Sequence, residues 1–213
     1  MCFSETADLA VGAALLPVGV VSLAMVRRAR EVPFAALPLL FSAHHLVEAL
    51  VWHGGGSGSG ASHAAAVVYV LYAMVVLPTL VPLAVQLIEP PGRVRRIVPF
   101  TVLGLMVTAY FGWTVASNGV AVREEPHALI YDIGLRYGMF ATTLYVVAVT
   151  GSAIVSGFRS LVAFGVANLV GLTIVAVAYQ QAFASLWCVW AAVTSVLVVW
   201  HMWTRRRPDV PAQ

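Results

Sequence analysis

Long apolar segments alternate with short polar breaks along most of the chain. A helix of about 20 apolar residues crosses the hydrocarbon core of a bilayer. The pattern predicts seven transmembrane helices, at about 8–26, 33–53, 63–87, 97–115, 138–156, 160–179 and 185–203. The breaks carry turn signals, such as the Gly/Ser-rich run at 54–62 and the Glu-Pro-Pro-Gly turn at 89–92. We therefore expect an all-α integral membrane bundle that forms a single domain over residues 1–213.

One predicted connection, residues 116–137, is longer than the others. Pro126 follows two acidic residues there, which is typical of a helix start. We expect this outer loop to be a helix over the mouth of the bundle, an early start of the fifth span, or a solvated loop. Connections of this length often act as lids.

Composition supports the membrane assignment. Hydrophobic residues make up 61% of the 213 positions and charged residues only 10%, with a mean hydropathy of +0.90. Soluble domains carry about 25% charged residues. The acidic start at residues 1–8 lacks the basic region of a cleavable signal peptide. Two cysteines are too few for a disulfide framework or a cysteine zinc site.

The twelve basic residues are all arginines, and they predict the orientation. Ten lie on alternate breaks, namely Arg27, Arg28, Arg30, Arg93, Arg95, Arg96, Arg159, Arg205, Arg206 and Arg207. Only Arg123 and Arg136 fall on the other side. The positive-inside rule then places the N-terminus outside and the C-terminus in the cytoplasm. Because the net charge of +3 follows this pattern, it does not indicate nucleic-acid binding.

Glu48 is the most unusual residue, because it lies within the apolar second span. A carboxylate in hydrocarbon costs roughly 2.5 kcal/mol or more, so such residues usually serve a function. His44 precedes it by four residues and His45 by three, which places them on or near the same helix face, and Trp52 follows one turn later. The alternative is a structural group that bonds to a neighbouring helix.

Topology predicts further polar and aromatic residues at the outer mouth. The candidate acids besides Glu48 are Glu5, Asp8 and Asp132. The candidate substrate-binding residues are Trp52, His127, Tyr131, Tyr179, Trp187 and Trp190. Cys2 and Cys188 also fall on the oxidising side, where they could form a disulfide, or Cys2 could remain a nucleophile or ligand. We expect an acidic and aromatic cavity that opens outward.

Three kinds of chemistry fit these residues. The first is proton-initiated isomerisation, since burial favours the protonated form of a carboxyl group and aromatic faces stabilise cations. The second is a metal-dependent hydrolase, or a metal or haem site, with His44, Glu48 and a third ligand such as His127. The third is a proton-coupled transporter with Glu48 in its path. A retinal protein of the usual kind is excluded, because the chain has no lysine for a Schiff base.

Four short motifs occur along the chain: Met-Cys-Phe-Ser at the start, Leu-Pro-Leu-Leu-Phe at 37–41, His-Ala-Leu-Ile-Tyr at 127–131 and Leu-Trp-Cys at 186–188. With these motifs the chain resembles a family of small actinobacterial seven-span membrane proteins. That resemblance covers most of the chain and implies the fold more than an activity. The family's usual start runs Ser-Ala-Thr-Ala-Ser after the phenylalanine, whereas Glu5 and Asp8 bring two acids to the mouth here.

In size, span number and acid–aromatic character the chain also resembles bacterial membrane-bound terpene cyclases of drimentine-type pathways. Those enzymes cyclise a farnesyl group carried on an indole-containing cyclodipeptide. The resemblance implies a membrane terpene cyclase or isomerase whose substrate is a prenylated lipophilic molecule, with no metal or organic cofactor. Glu48 is then the expected proton donor, with Asp8, Glu5 and Asp132 as rivals and His44 and His45 as groups that tune or reload it.

Overall fold

The chain is mostly helical, with one small β-sheet, in the computed structural model, which describes residues 4–54, 60–125, 128–178 and 183–205. The helices are α1 (Glu5–Ala24), α2 (Val32–Ala35), α3 (Leu37–His53), α4 (Gly60–Val70), α5 (Leu77–Ile88), α6 (Val94–Asn118), α7 (Gly138–Ile154), α8 (Arg159–Ala178) and α9 (Phe183–Thr204). The strands are β1 (Ala121–Glu125) and β2 (Ala128–Asp132).

Four helical stretches are long and apolar enough to cross a membrane by length and composition. They are Glu5–Ala24, Ala29–His53, Gly60–Ile88 and Val94–Asn118. Three shorter apolar helical stretches are Gly138–Ile154, Arg159–Ile174 and Val193–Thr204. Each of the seven predicted segments overlaps a helical stretch of the described chain, so the prediction of a mostly helical chain is confirmed, and the small sheet departs from the predicted all-α class.

The connection at 116–137 is neither a helix nor an early start of the fifth span. It forms an antiparallel hairpin in which Ala121 pairs with Asp132 and Glu125 with Ala128. The physical reason is a period of two: Val120 and Val122 are buried while Ala121 and Arg123 are exposed, which suits a half-buried strand. The helix prediction for this segment was therefore wrong, because the start signal at Pro126 was given more weight than the alternation around it.

The stretch from Gly60 to Ile88 contains a π-helical turn at Leu71–Val76, between α4 and α5. Two prolines follow it, Pro78 and Pro82. Proline has no N–H, so Pro82 cannot donate to the carbonyl of Pro78 four residues earlier. That carbonyl lies against Gly104 of α6, where a Cβ atom would overlap it. The hydrogen bond that Pro82 cannot make and the Cβ atom that Gly104 lacks thus coincide where α5 contacts α6.

The end of the bundle that holds the α1–α2, α5–α6 and α7–α8 connections is called the arginine end. Its buried acids act as caps. Glu31 Oε2 accepts from the backbone N–H of Arg27 at 2.9 Å, and Glu89 Oε1 accepts from the N–H of Gly157 at 2.6 Å. Arg205 donates to the Ile88 carbonyl at 3.3 Å, which satisfies one of the last carbonyl groups of α5. The opposite end carries the hairpin and is called the hairpin end.

We predict that Gly104→Ala destabilises the protein by roughly 1–3 kcal/mol, because its methyl group meets a backbone carbonyl that cannot rotate away. The matched control is Gly112→Ala in the same helix, where a Cβ meets only Val75 Cγ1 at 3.6 Å. That substitution should be neutral or slightly stabilising, since alanine favours helix. Thermal unfolding in detergent measures both variants, and equal melting temperatures would contradict the proposed packing role.

Candidate functional site

The site depends on how closely α1 and α3 pack. The buried residues of α1 recur every three or four positions and form one stripe: Asp8, Gly12, Leu15, Gly19 and Ser22. A Cβ at Gly19 would lie 2.6 Å from the Leu39 backbone, and Ser42 Oγ donates to the Gly12 carbonyl at 2.6 Å. The antiparallel α3 therefore lies directly on this stripe. Asp8 continues the stripe toward the hairpin end and faces the same helix.

Asp8, His45 and Glu48 form a buried cluster between these helices. His45 Nδ1 lies 2.9 Å from Asp8 Oδ1, and the two side chains are 0% and 1% exposed. Glu48 is also fully buried. One potential ligand atom from each of the three side chains lies within 4.8 Å of the others. The structure thus brings together three of the predicted acid–base residues, from two different helices.

The cluster retains polar atoms without partners. Asp8 Oδ2 and His45 Nε2 are buried and have no hydrogen-bond partner in the part of the chain that the structure describes. With Asp8 as a carboxylate, the N–H at His45 Nδ1 donates to it, so Nε2 is the nitrogen left to act as a base or ligand. A buried polar atom without a partner costs about 1–3 kcal/mol. Such atoms are expected where a site takes a proton or a ligand.

Two other buried acids in the described chain, Glu31 and Glu89, accept hydrogen bonds from the protein, in contrast to Asp8 Oδ2. Glu89 Oε2 accepts from the Ser156 hydroxyl at 2.7 Å and Glu89 Oε1 from the Gly157 N–H. Glu31 caps the preceding turn through the N–H groups of Arg27 and Arg28. These two acids have a structural explanation in their hydrogen bonds. The pairing of Asp8 with His45 leaves one polar atom on each residue unexplained.

A second acid–histidine pair joins the same two helices nearer their ends. His53 Nδ1 lies 3.0 Å from Glu5 Oε1, and these side chains are 76% and 42% exposed. An exposed pair of this kind contributes little to stability because water screens it. Glu5 therefore lies outside the buried cluster, and the pair is a natural control for it.

His44 contacts a row of aromatic rings. It stacks on Tyr69 at a centroid distance of 4.0 Å, and Tyr69 stacks in turn on Tyr131 of β2 at 4.4 Å. Tyr72, within the π-helical turn, lies 4.8 Å from His44. π-Helical turns occur frequently at functional sites. This aromatic row, His44, Tyr69, Tyr72 and Tyr131, connects the hairpin to the helix that carries Glu48.

The remaining predicted residues have other places. Asp132 is exposed at the end of β2, where its Oδ1 accepts from the Gly134 N–H at 2.8 Å. Trp190 Nε1 donates to the Ala167 carbonyl at 2.8 Å, so its indole packs α9 against α8. Trp52 is partly buried and packs against the core. Tyr131 is the predicted substrate-binding residue that the structure brings into the aromatic row.

Several predicted residues lie outside the part of the chain that the structure describes. Cys2, His127 and Tyr179 lie outside the described residues, as do the side chains of Trp187 and Cys188 in α9. The disulfide and the ligand role of His127 stay predictions. Within the described chain, Asp8 supplies the third potential ligand beside Glu48, and the histidine is His45 instead of His44.

Sequence reasoning missed Tyr69 and Tyr72. They lie in the third predicted span, where tyrosine at a spacing of three reads as ordinary packing. The missed signal was predicted depth: in the expected topology Asp8 stands near the start of the first segment, and His45 and Glu48 lie in the later half of the second, which runs the other way. Residues at matched depth on consecutive antiparallel helices are natural neighbours.

Comparison with known proteins identifies the family but no activity. No curated protein and no solved structure matches the chain. One family model matches residues 1–213, and its description is a family of unknown function. Since the match spans the whole chain, the protein belongs to the DUF6629 family.

Proposed function

We propose that the chain is a seven-span protein of the bacterial cytoplasmic membrane, with its N-terminus outside and its C-terminus in the cytoplasm. The arrangement of the arginines supports this, because the α1–α2, α5–α6 and α7–α8 connections and the end of α9 carry most of them. The hairpin end then faces outward. In this orientation the buried cluster lies in the outer half of the bilayer.

Within this frame we propose a membrane terpene cyclase or isomerase that acts on a prenylated, farnesyl-type substrate. The observation that carries the proposal is the burial of Glu48 beside the Asp8–His45 pair, on the helix whose His44 stacks on the other rings of the aromatic row. A carboxyl group in an apolar site favours its protonated form and can act as a general acid.

The proposed reaction needs only these side chains. Glu48 gives its proton to a terminal alkene carbon of the prenyl chain, so that a C–H bond forms and the π bond breaks. A second alkene of the substrate attacks the cation and closes a ring. His45 accepts the proton that a neighbouring carbon then loses, and it reloads Glu48. The rings of Tyr72 and Tyr131 stabilise the cation through their faces. Protons balance, so the product has the mass of the substrate.

The first prediction here concerns topology. A reporter that is active only in the periplasm should be active when inserted in the 54–62 loop, and a reporter that is active only in the cytoplasm should be active at the C-terminus. Both results follow from seven spans whose arginine-rich connections lie in the cytoplasm, because the 54–62 loop is then outside and the C-terminus inside. Cytoplasmic activity of the loop insertion, or periplasmic activity at the C-terminus, would contradict the seven-span orientation.

The second prediction concerns the acid. Purified protein is incubated with a panel of prenylated indoles and free prenyl alcohols, and products are followed by chromatography with mass detection. The wild type should give a retention shift with unchanged mass. Glu48→Gln should lose at least roughly 100-fold of the rate, the usual contribution of a general acid.

The matched control is Glu5→Gln, which removes an exposed acid from the same pair of helices and should retain the activity. A full rate in Glu48→Gln would move the proton donor to Asp8. Absence of a retention shift with every substrate, from wild-type protein that remains folded, would count against the cyclase function itself.

A further inference from the structure

We propose that Asp8, His45 and Glu48 form a binding site for a divalent transition-metal cation, with zinc as the type ion. The proposal goes beyond the function above, and its test does not use a substrate. One nitrogen and two carboxylate oxygens are a donor set that zinc and related ions accept. With three protein ligands, a fourth position stays open for water or another ligand.

The geometry is close to that of a bound ion. Metal–nitrogen and metal–oxygen distances are about 2.0–2.2 Å, so two ligand atoms of one ion stand about 3.4 Å apart in a tetrahedral site. The potential ligand atoms of the three side chains already lie within 4.8 Å of one another. Small side-chain rotations close that difference. The ligands come from two packed helices, which hold them more firmly than loops do.

The second observation is independent of the spacing. Asp8 and His45 are 1% and 0% exposed, and each retains one polar atom without a hydrogen-bond partner in the described chain. A cation bound between Asp8 and His45 takes the place of the present 2.9 Å contact between Asp8 Oδ1 and His45 Nδ1. Such a cation can bond Asp8 Oδ2, an atom that protein groups of the described chain leave without a partner.

The net charge of the three side chains also favours a bound cation. With Glu48 ionised, the two carboxylates and a neutral imidazole sum to −2, and burial of charge in hydrocarbon is costly. Asp8 pairs with His45, a neutral partner unless it is protonated. A divalent cation brings the net charge to zero.

The donor set also selects among cations. Calcium prefers six to eight oxygen ligands and magnesium keeps several waters in octahedral geometry, so neither fits a small site with an imidazole. Zinc and cobalt(II) accept imidazole with carboxylate. A bound cation also holds Glu48 as a carboxylate, so zinc should inhibit the proton-initiated reaction proposed above.

The test measures zinc directly. Detergent-purified full-length protein is stripped with a chelator, reloaded with zinc, passed through a desalting column and analysed by mass spectrometry for the metal. The wild type should retain about one zinc per chain, and magnesium should leave no retained ion. Cobalt(II) loading should give visible absorption typical of a four-coordinate site.

Asp8→Asn and Glu48→Gln should each weaken zinc binding by at least about tenfold. Glu5→Gln is the matched control and should retain the ion, because its exposed pair offers only two ligands. Each variant is compared at equal gel-filtration volume, so loss of the fold is separated from loss of the site. Zinc should also raise the melting temperature of the wild type and not that of Glu48→Gln.

The outcomes separate the two proposals. Wild-type protein without retained zinc, or zinc retained equally by Asp8→Asn and Glu48→Gln, overturns the metal site and leaves the acid reaction standing. Zinc binding with the expected variant pattern, together with no cyclisation of any substrate in the presence of chelator, supports the metal site and counts against the cyclase.

Discussion

The close antiparallel contact of α1 with α3 is the constraint on which the site depends. Gly12 and Gly19 remove the side chains that would hold the helices apart, and the α1 stripe then places Asp8 against His45. Helices that pack through small residues approach more closely than helices that pack through leucine. At a wider spacing, the 2.9 Å approach of Asp8 Oδ1 to His45 Nδ1 would be lost. The close approach of the α1 and α3 backbones thus determines which side chains of the two helices come into contact.

Buried acids have different hydrogen-bond partners at the two ends of the bundle. At the arginine end, Glu31 and Glu89 each receive backbone N–H groups, and Glu89 also receives a hydroxyl, so their cost of burial is offset by strong hydrogen bonds. At the hairpin end, Asp8 meets an imidazole and keeps an oxygen without a partner in the described chain. The first arrangement is complete without a ligand. The second leaves Asp8 Oδ2 available to a proton or to the cation proposed above.

The sequence predicted the helices and the unusual position of Glu48, because apolar length and an isolated carboxylate are local signals. It could not decide between His44 and His45, since neighbouring residues on a helix point about 100° apart and the partner helix decides which one meets it. The hairpin was missed because a local start signal at Pro126 competed with a pattern of alternate burial that only packing reveals. Asp8 was a candidate acid, but only the packing of α1 on α3 places it beside His45.

The same angular separation lets one helix serve two environments. His45 points to the carboxylates between α1 and α3, while His44 points to Tyr69, on which Tyr131 of the hairpin rests. The π-helical turn at Leu71–Val76 adds Tyr72 to the same ring cluster. Since His44 and His45 share one backbone, the position of α3 sets together the contact of His44 with the aromatic row and the contact of His45 with Asp8.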